Sequence, residues 1–248
     1  MLKVSNTDIS NIYHGSIAIK KAYVGSNLVW PSSPPLPYDA EIEYVQIEHS
    51  NRVVQLQFPT YITDMLTDKT RETVIFSATA ECSRVGTGAN INFCGYGMLL
   101  QQVGPFGPAS SAITNTIYAG GSSNYGSVTC ASLDDYHTIS VINNLGIIEG
   151  YIDGVHTGGT TKPSTSKIQT SQFFFFRFYA QSSSTANHII RQKRCTFDVD
   201  GQTLIDAYPV RAGDAVGWYN KIDGMFYGLS TLDYPEISAG PDKVRGEA

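Results

Sequence analysis

Charge is scarce in this chain. Only 16% of its 248 residues are Asp, Glu, Lys or Arg, and 22 acids stand against 17 bases. The resulting net charge of −5 disfavours a nucleic-acid partner, because holding phosphates takes clustered cations. The one basic run, Arg191, Lys193 and Arg194, reads as a solvated strand end. No apolar run reaches the ~18 residues of a membrane-spanning helix, so no membrane insertion is expected. The opening residues, MLKVSNTDIS, are polar where a secretory signal needs its apolar stretch, which points to synthesis and assembly in a cytoplasm.

Chemical motifs are equally thin. Cys82, Cys94, Cys130 and Cys195 form no C-x-x-C pair and have no histidine at zinc-ligand spacing, so they are expected to be free, buried and small. There is no G-x-S-x-G elbow, phosphate-binding loop or H-E-x-x-H pair. A glycosidase places two carboxylates ~5–10 Å apart across the bond it cuts. The acid pairs here, Glu41/Glu43, Asp134/Asp135 and Asp198/Asp200, read as solvent-facing or turn residues. His137 follows Tyr136 on a strand pattern and reads as a hydrogen-bonded structural residue; His14, His49, His156 and His188 have no partner that sequence identifies. No catalytic residue, metal or cofactor is expected.

What the chain does hold is β-forming material. Hydrophobic residues make up 42%, with 15 Tyr and 11 Phe. Segments 41–48 (EIEYVQIE), 52–58 (RVVQLQF), 72–80 (ETVIFSATA), 91–100 (INFCGYGMLL), 137–142 (HTISVI) and 147–153 (IIEGYID) are short, β-branched or aromatic, and often alternating. Turn chemistry separates them, as in GTGAN, GPFGPASS and GGSSNYG. Only residues 60–70, TYITDMLTDKT, suit a short helical turn. Short strands without intervening helices predict a sandwich, jelly roll or barrel.

The composition breaks once, at residues 31–37, PSSPPLP, a stiff extended spacer. Before it, a ten-residue repeat aligns Lys3 to Ile9 with Tyr13 to Ile19 and Tyr23 to Val29; the last two copies share Tyr-x-Gly-Ser. About three short strands in thirty residues are too few for a core of their own. This unit is expected to need its own copies or a docking surface, through Tyr13, Tyr23, Val24, Leu28, Val29 and Trp30. The alternative is that it adds strands to its own sandwich. The division is therefore 1–30, a β-repeat unit; 31–37, a linker; 38–240, a β-sandwich; and 241–248, a polar tail.

Residues 134–158 predict two strands joined at Asn143-Asn144-Leu145-Gly146, where Asn and Gly tolerate positive φ, then a turn at Asp153-Gly154. Tyr136, His137, Tyr151, Asp153 and Gly154 resemble the pattern of laminin-G-like and concanavalin-A-like sandwiches. Pro209, Val210, Arg211, Gly217, Trp218, Tyr219, Asp223, Gly224, Phe226 and Tyr227 resemble the closing strands of laminin-G-like domains in proteins of gut Bacteroides and their phages. The stretch from Ile19 to Pro31, with Tyr23-Val24-Gly25-Ser26 and Val29-Trp30-Pro31, is similar to elements that head phage fibre and tail proteins. These resemblances imply an all-β chain: a short β-repeat followed by a concanavalin-A-like jelly roll. They further imply a virion fibre or decoration protein, made in the host cytoplasm. Its expected partners are copies of itself, with a trimer favoured, other virion proteins, and a host-surface glycan or receptor.

The run SQFFFFRFY (171–179) places Phe174, Phe176 and Phe178 on one strand face and Phe173, Phe175, Arg177 and Tyr179 on the other. One face is core; the other is covered within the sandwich, by another subunit, or by sugar rings. Three functions follow: a non-enzymatic fibre or decoration protein with a lectin-like body, a capsular-polysaccharide hydrolase, or a structural component that binds no sugar.

Overall fold

The computed structural model describes residues 36–48, 53–86, 91–96, 116–118, 127–129, 135–161, 165, 167, 168, 173–178 and 188–243, with short strands among the first thirty. It divides into two compact units, Met1–Pro37 and Tyr38–Ala248.

The first unit contains three antiparallel hairpins. β1 (Lys3–Val4) pairs β2 (Thr7–Asp8), β3 (Tyr13–His14) pairs β4 (Ile17–Ala18), and β5 (Ala22–Val24) pairs β6 (Asn27–Trp30). Each ten-residue repeat is thus a hairpin, where about one strand per repeat was expected. Tyr13 pairs Ala18, Tyr23 pairs Leu28, and Val24 pairs Asn27. The register then jumps to Ala22 opposite Trp30, so Val29 is the extra residue of a bulge. The side chains of these six expected contact residues lie outside the described residues.

The second unit is built on two long strands, β10 (Ile75–Gly86) and β18 (His188–Val199). Beyond β10 follow β14 (His137–Asn144), β15 (Ile147–Ile152) and β16 (Val155–Thr161). On its other side β18 changes neighbour. Residues 195–199 pair β19 (Gln202–Ala212), which leads to β20 (Ala215–Asn220) and β21 (Met225–Ser230). Residues 189–192 pair β8 (Val45–Glu48), itself joined to β22 (Ile237–Ala239). The far end of β19 pairs β7 (Ala40–Glu41). This antiparallel sheet therefore forks. A three-stranded sheet, β11 (Ile91–Tyr96), β17 (Phe173–Phe178) and β9 (Val54–Gln57), packs against it, and β12 (Thr116–Tyr118) pairs β13 (Ser127–Thr129). The all-β expectation holds, and α1 (Thr60–Leu66) forms within the one segment expected to turn helically.

Aromatic rings fill the space between the sheets. Phe173 lies 6.0 Å from Phe76 and 5.5 Å from Phe197 by ring centroids, and Phe175 stacks on Trp218 at 5.9 Å. Phe173 to Phe176 are all buried, so the fold itself covers both faces of this run. Strict alternation fails, however, because β17 gains a residue against β9 between Phe174 and Phe176. Phe175 and Phe176 consequently both join the core, while Arg177 lies over the ring of Phe174 at 5.3 Å.

Tight turns complete the large sheet. Leu145-Gly146, Asp153-Gly154 and Asp200-Gly201 all carry consecutive positive φ values, the pattern of a type I′ hairpin. The first corrects the expectation that Asn would take positive φ. Asn144 pairs Ile147, so only Leu145 and Gly146 remain for the loop. Asn143 is instead buried in the strand and donates to the carbonyls of Val74 and Arg71 at 2.7 and 3.0 Å. Order reaches past 240: Glu43 N donates to Pro241 O, Lys243 N donates to Glu41 O, and Arg211 pairs with Asp242 at 3.0 Å.

Candidate functional site

The site begins with an irregularity in the two central strands. Ala80 pairs Cys195, but Cys82 pairs Gln192, so β18 carries one extra residue. Cys195 and Gln192 both point inward, at 1% and 0% exposure. Regular alternation would put only one of the two residues between them outside. The bulge puts Lys193 and Arg194 together on the outer face, opposite Glu81. Lys193 Nζ donates to Glu81 Oε1 at 3.2 Å and lies 3.6 Å from the centre of the Tyr136 ring. Arg194 Nε donates to Asp206 Oδ1 at 2.7 Å. From the core side, the buried Trp218 indole donates to the Lys193 carbonyl at 3.0 Å, which fixes the bulged backbone.

The fork widens this irregularity into a groove. Beyond Ala207, β19 loses β18 as a neighbour and gains β7 only at Val210. Pro209 sits in that interval, where its missing N–H breaks no ladder, and its carbonyl accepts from Ile42 N at 3.1 Å. Glu41, Glu81, Lys193, Arg194, Tyr208, Pro209, Lys221 and Lys243 line the resulting cleft of about 390 Å³. A second cleft of about 370 Å³, lined by Thr79, Thr138, Cys195 and Thr196, shares Glu81 and Arg194 with the first. The two clefts adjoin on the outer face as a trough bordered at its middle by Glu81 and Arg194.

A tyrosine cluster backs the first cleft. The hydroxyls of Tyr38 and Tyr208 share a hydrogen bond of 2.8 Å, and both rings pack edge-on with Tyr219. Burial, then the bond to Tyr38, raises the Tyr208 phenol above the usual tyrosine range, so it stays neutral and hydrogen-bonding. Lys221 Nζ lies 5.0 Å from the Tyr208 ring centre, and Glu41 accepts from Tyr38 at 3.3 Å. The trough thus offers ammonium, guanidinium, carboxylate and hydroxyl groups beside aromatic rings on a rigid sheet, the equipment for gripping a polyhydroxylated molecule.

The expected solvated strand end at residues 191–194 is corrected. These residues sit inside a twelve-residue strand, and two of them line the trough. The signal missed was Glu81, a lone charge on the outward step of the apolar pattern in 75–82. The bulge itself has no sequence mark, because it depends on which residues two distant strands place opposite each other. His137 is structural, as read: its Nδ1 lies 2.7 Å from Asp153 Oδ2, while Asp153 Oδ1 accepts from Thr138 N at 2.8 Å. Cys82 pairs His137 in register, giving the order thiol, imidazole, carboxylate. Cys82 is only 1% exposed, however, and burial raises its thiol well above the ordinary range, which leaves no nucleophile. Cys82 and Cys195 are free and buried, as expected; the side chains of Cys94 and Cys130 lie outside the described residues. Asp198 accepts from Ser77 at 3.1 Å and Asp200 from Ile75 N at 3.0 Å, both structural roles. Among the described residues, no group of His, Cys, Asp and Glu is placed to hold a metal ion.

No protein-family profile and no curated protein matches this chain. Distant likenesses appear among solved structures. One is a putative carbohydrate-binding protein from Bacteroides ovatus, at 11% identity and a TM-score of 0.49, covering 82% of this chain and 61% of that one. Another is the PL7 alginate lyase AlyA1 from Zobellia galactanivorans, at 14% identity and 0.35, covering 53% and 64%. A third is botulinum neurotoxin type C, whose cell entry depends on two ganglioside molecules, at 15% identity and 0.34, covering 75% and 48%. The chain spans less than two thirds of the length of each.

Proposed function

We propose that this protein is a non-enzymatic display protein of a phage particle, whose sandwich binds a host-surface glycan through the trough. Its hairpin repeats join it to its own copies, as a trimer, and to other virion proteins. The observation that supports glycan binding is the bulge in β18: two adjacent cations face one carboxylate beside a tyrosine cluster, all on rigid strands. Resemblance of the repeats to elements that head phage fibres supports the display role.

A glycan panel probed with the full chain and with a Lys193→Ala, Arg194→Ala variant tests the binding. Signal that the double variant loses is expected; an empty panel, or equal signal from a folded variant, sinks the reading. Sizing the full chain beside a chain starting at Tyr38 tests the attachment, with only the full chain expected to be trimeric.

A second reading, a polysaccharide hydrolase, draws on Glu41 and Glu81 lining one cleft. Release of reducing ends from host capsule, abolished by Glu81→Gln, would favour it over simple binding.

A further inference from the structure

The shape and charge of the trough narrow the ligand, on the premise that it binds glycan at all. The two clefts both border Glu81 and Arg194, so they adjoin. The trough runs across the strand direction: Thr138 is on β14, Thr79 and Glu81 on β10, Arg194 and Thr196 on β18, and Tyr208 on β19, four successive strands. Three interstrand gaps of ~4.8 Å give a length of about 14 Å. A pyranose unit advances an extended glycan by about one such gap, so the floor matches about three consecutive units. A pocket for one terminal sugar would need neither the second cleft nor its row of threonines.

The cations of the lining outnumber its carboxylates and keep free donors. Lys221 and Lys243 have no acidic partner among the described residues. Arg194, 60% exposed along its side chain, meets Asp206 through Nε, and that leaves the terminal nitrogens of its fork as donors suited to a carboxylate. Lys193 gives one bond to Glu81 and keeps two donors. Against these four cations stand Glu41 and Glu81 in the lining and Asp206 beside it. The trough is therefore positive within a protein of net charge −5.

We infer that the trough takes an internal segment of about three units from a linear, carboxylate-bearing polysaccharide, its acid groups meeting Arg194, Lys221 and Lys243. The hydroxyl-lined half holds the neighbouring units through Thr79, Thr138 and Thr196.

The test is calorimetric titration of the full chain with oligomers of one to six units from polygalacturonate, polyglucuronate and hyaluronan, beside neutral cello-oligosaccharides of equal length. At least one acidic series is expected to bind, tightening tenfold or more from one unit to three and levelling by four. Cello-oligosaccharides are expected to bind at least tenfold more weakly. A Lys221→Gln, Lys243→Gln variant, altered only at exposed positions, should lose that preference without losing its melting temperature. The inference is overturned if no acidic series binds, if a monosaccharide binds as tightly as a trimer, or if neutral chains bind equally well. A glycan panel that lights up only for neutral or terminal sugars would end this inference and leave the glycan-binding reading standing, whereas an empty panel would end both.

Discussion

Tyr61, on α1, donates its hydroxyl to Asp223 Oδ2 at 2.6 Å. The same oxygen accepts from Tyr227 at 2.8 Å, and Asp223 Oδ1 accepts from Met225 N at 3.0 Å. One carboxylate at the β20–β21 turn thus holds the helix to the sheet. Asp223→Ala would take the acceptor from the part-buried Tyr227 hydroxyl and from the exposed Tyr61 hydroxyl, a loss of about 1–2 kcal/mol. In a domain of this size each kcal/mol lowers the melting temperature by about 2–4 °C, so a thermal scan resolves the effect. Tyr61→Phe, which removes one of the three bonds, should cost less than half as much.

Tyrosine burial also sets the alkaline limit. Burial raises the phenol of Tyr136 from 10.0 to about 12, and burial followed by Asp223 raises Tyr61 and Tyr227 in the same direction. A raised folded value means that the folded state keeps a proton the unfolded chain gives up. The stabilisation is complete below about pH 10 and is lost as pH climbs towards 12. Melting temperature should therefore fall across that interval, and Tyr136→Phe should make the fall shallower. A flat profile to pH 12 would sink this account.

The all-β architecture, the helical segment at 60–70 and the structural roles of His137 and Asp200 were legible because each rests on local chemistry: periodicity, turn residues and near neighbours. The trough was not. Lys193 and Arg194 look like adjacent alternating strand residues until Cys195 and Gln192 are known to point the same way. Pro209 reads as part of a closing-strand pattern, but only the fork shows where its missing N–H falls. Both depend on pairings between strands more than a hundred residues apart in one case, and on a change of neighbour in the other. Neither leaves a periodic trace in sequence.

The bulge predicts how β18 takes both substitution and deletion. Lys193→Ala should cost at most about 1 kcal/mol, because its ion pair with Glu81 is about one-third exposed on each side. Deleting Arg194 removes the extra residue and lets Ala80–Cys195, Glu81–Lys193 and Cys82–Gln192 pair as a regular ladder, with Cys195 and Gln192 still facing inward. A loss of no more than about 2 kcal/mol is expected, from local repacking where the bulge was, read by urea denaturation. A deletion that unfolds the protein would show that the two halves of β18 cannot close into a regular ladder.

Two glycines separate close packing from backbone strain. A Cβ on Gly217 would lie 2.0 Å from Tyr227 O and 2.4 Å from Gly228 Cα, so β20 and β21 would have to part. A Cβ on Gly201 meets nothing within 4 Å, but the residue holds φ at +80°. Gly201→Ala should cost about 1–2 kcal/mol from the left-handed backbone alone. Gly217→Ala should cost about 3 kcal/mol or more, because backbone atoms cannot yield as a side chain would. Paired denaturation curves check the order, and the reverse order would contradict the close packing of β20 against β21.

The buried thiols give a test of the core that does not depend on a ligand. Cys82 and Cys195 are each 1% exposed, and burial keeps Cys82 protonated far above neutral pH. Thiol–disulfide reagents attack through the thiolate, so both should react only when the sheet opens. A Cys94→Ser, Cys130→Ser variant isolates these two. In Ellman's assay at pH 8 the native variant should show no fast reaction, and two equivalents should appear on adding guanidinium. Rapid labelling of either thiol in the folded protein would mean that β10 and β18 do not close over them.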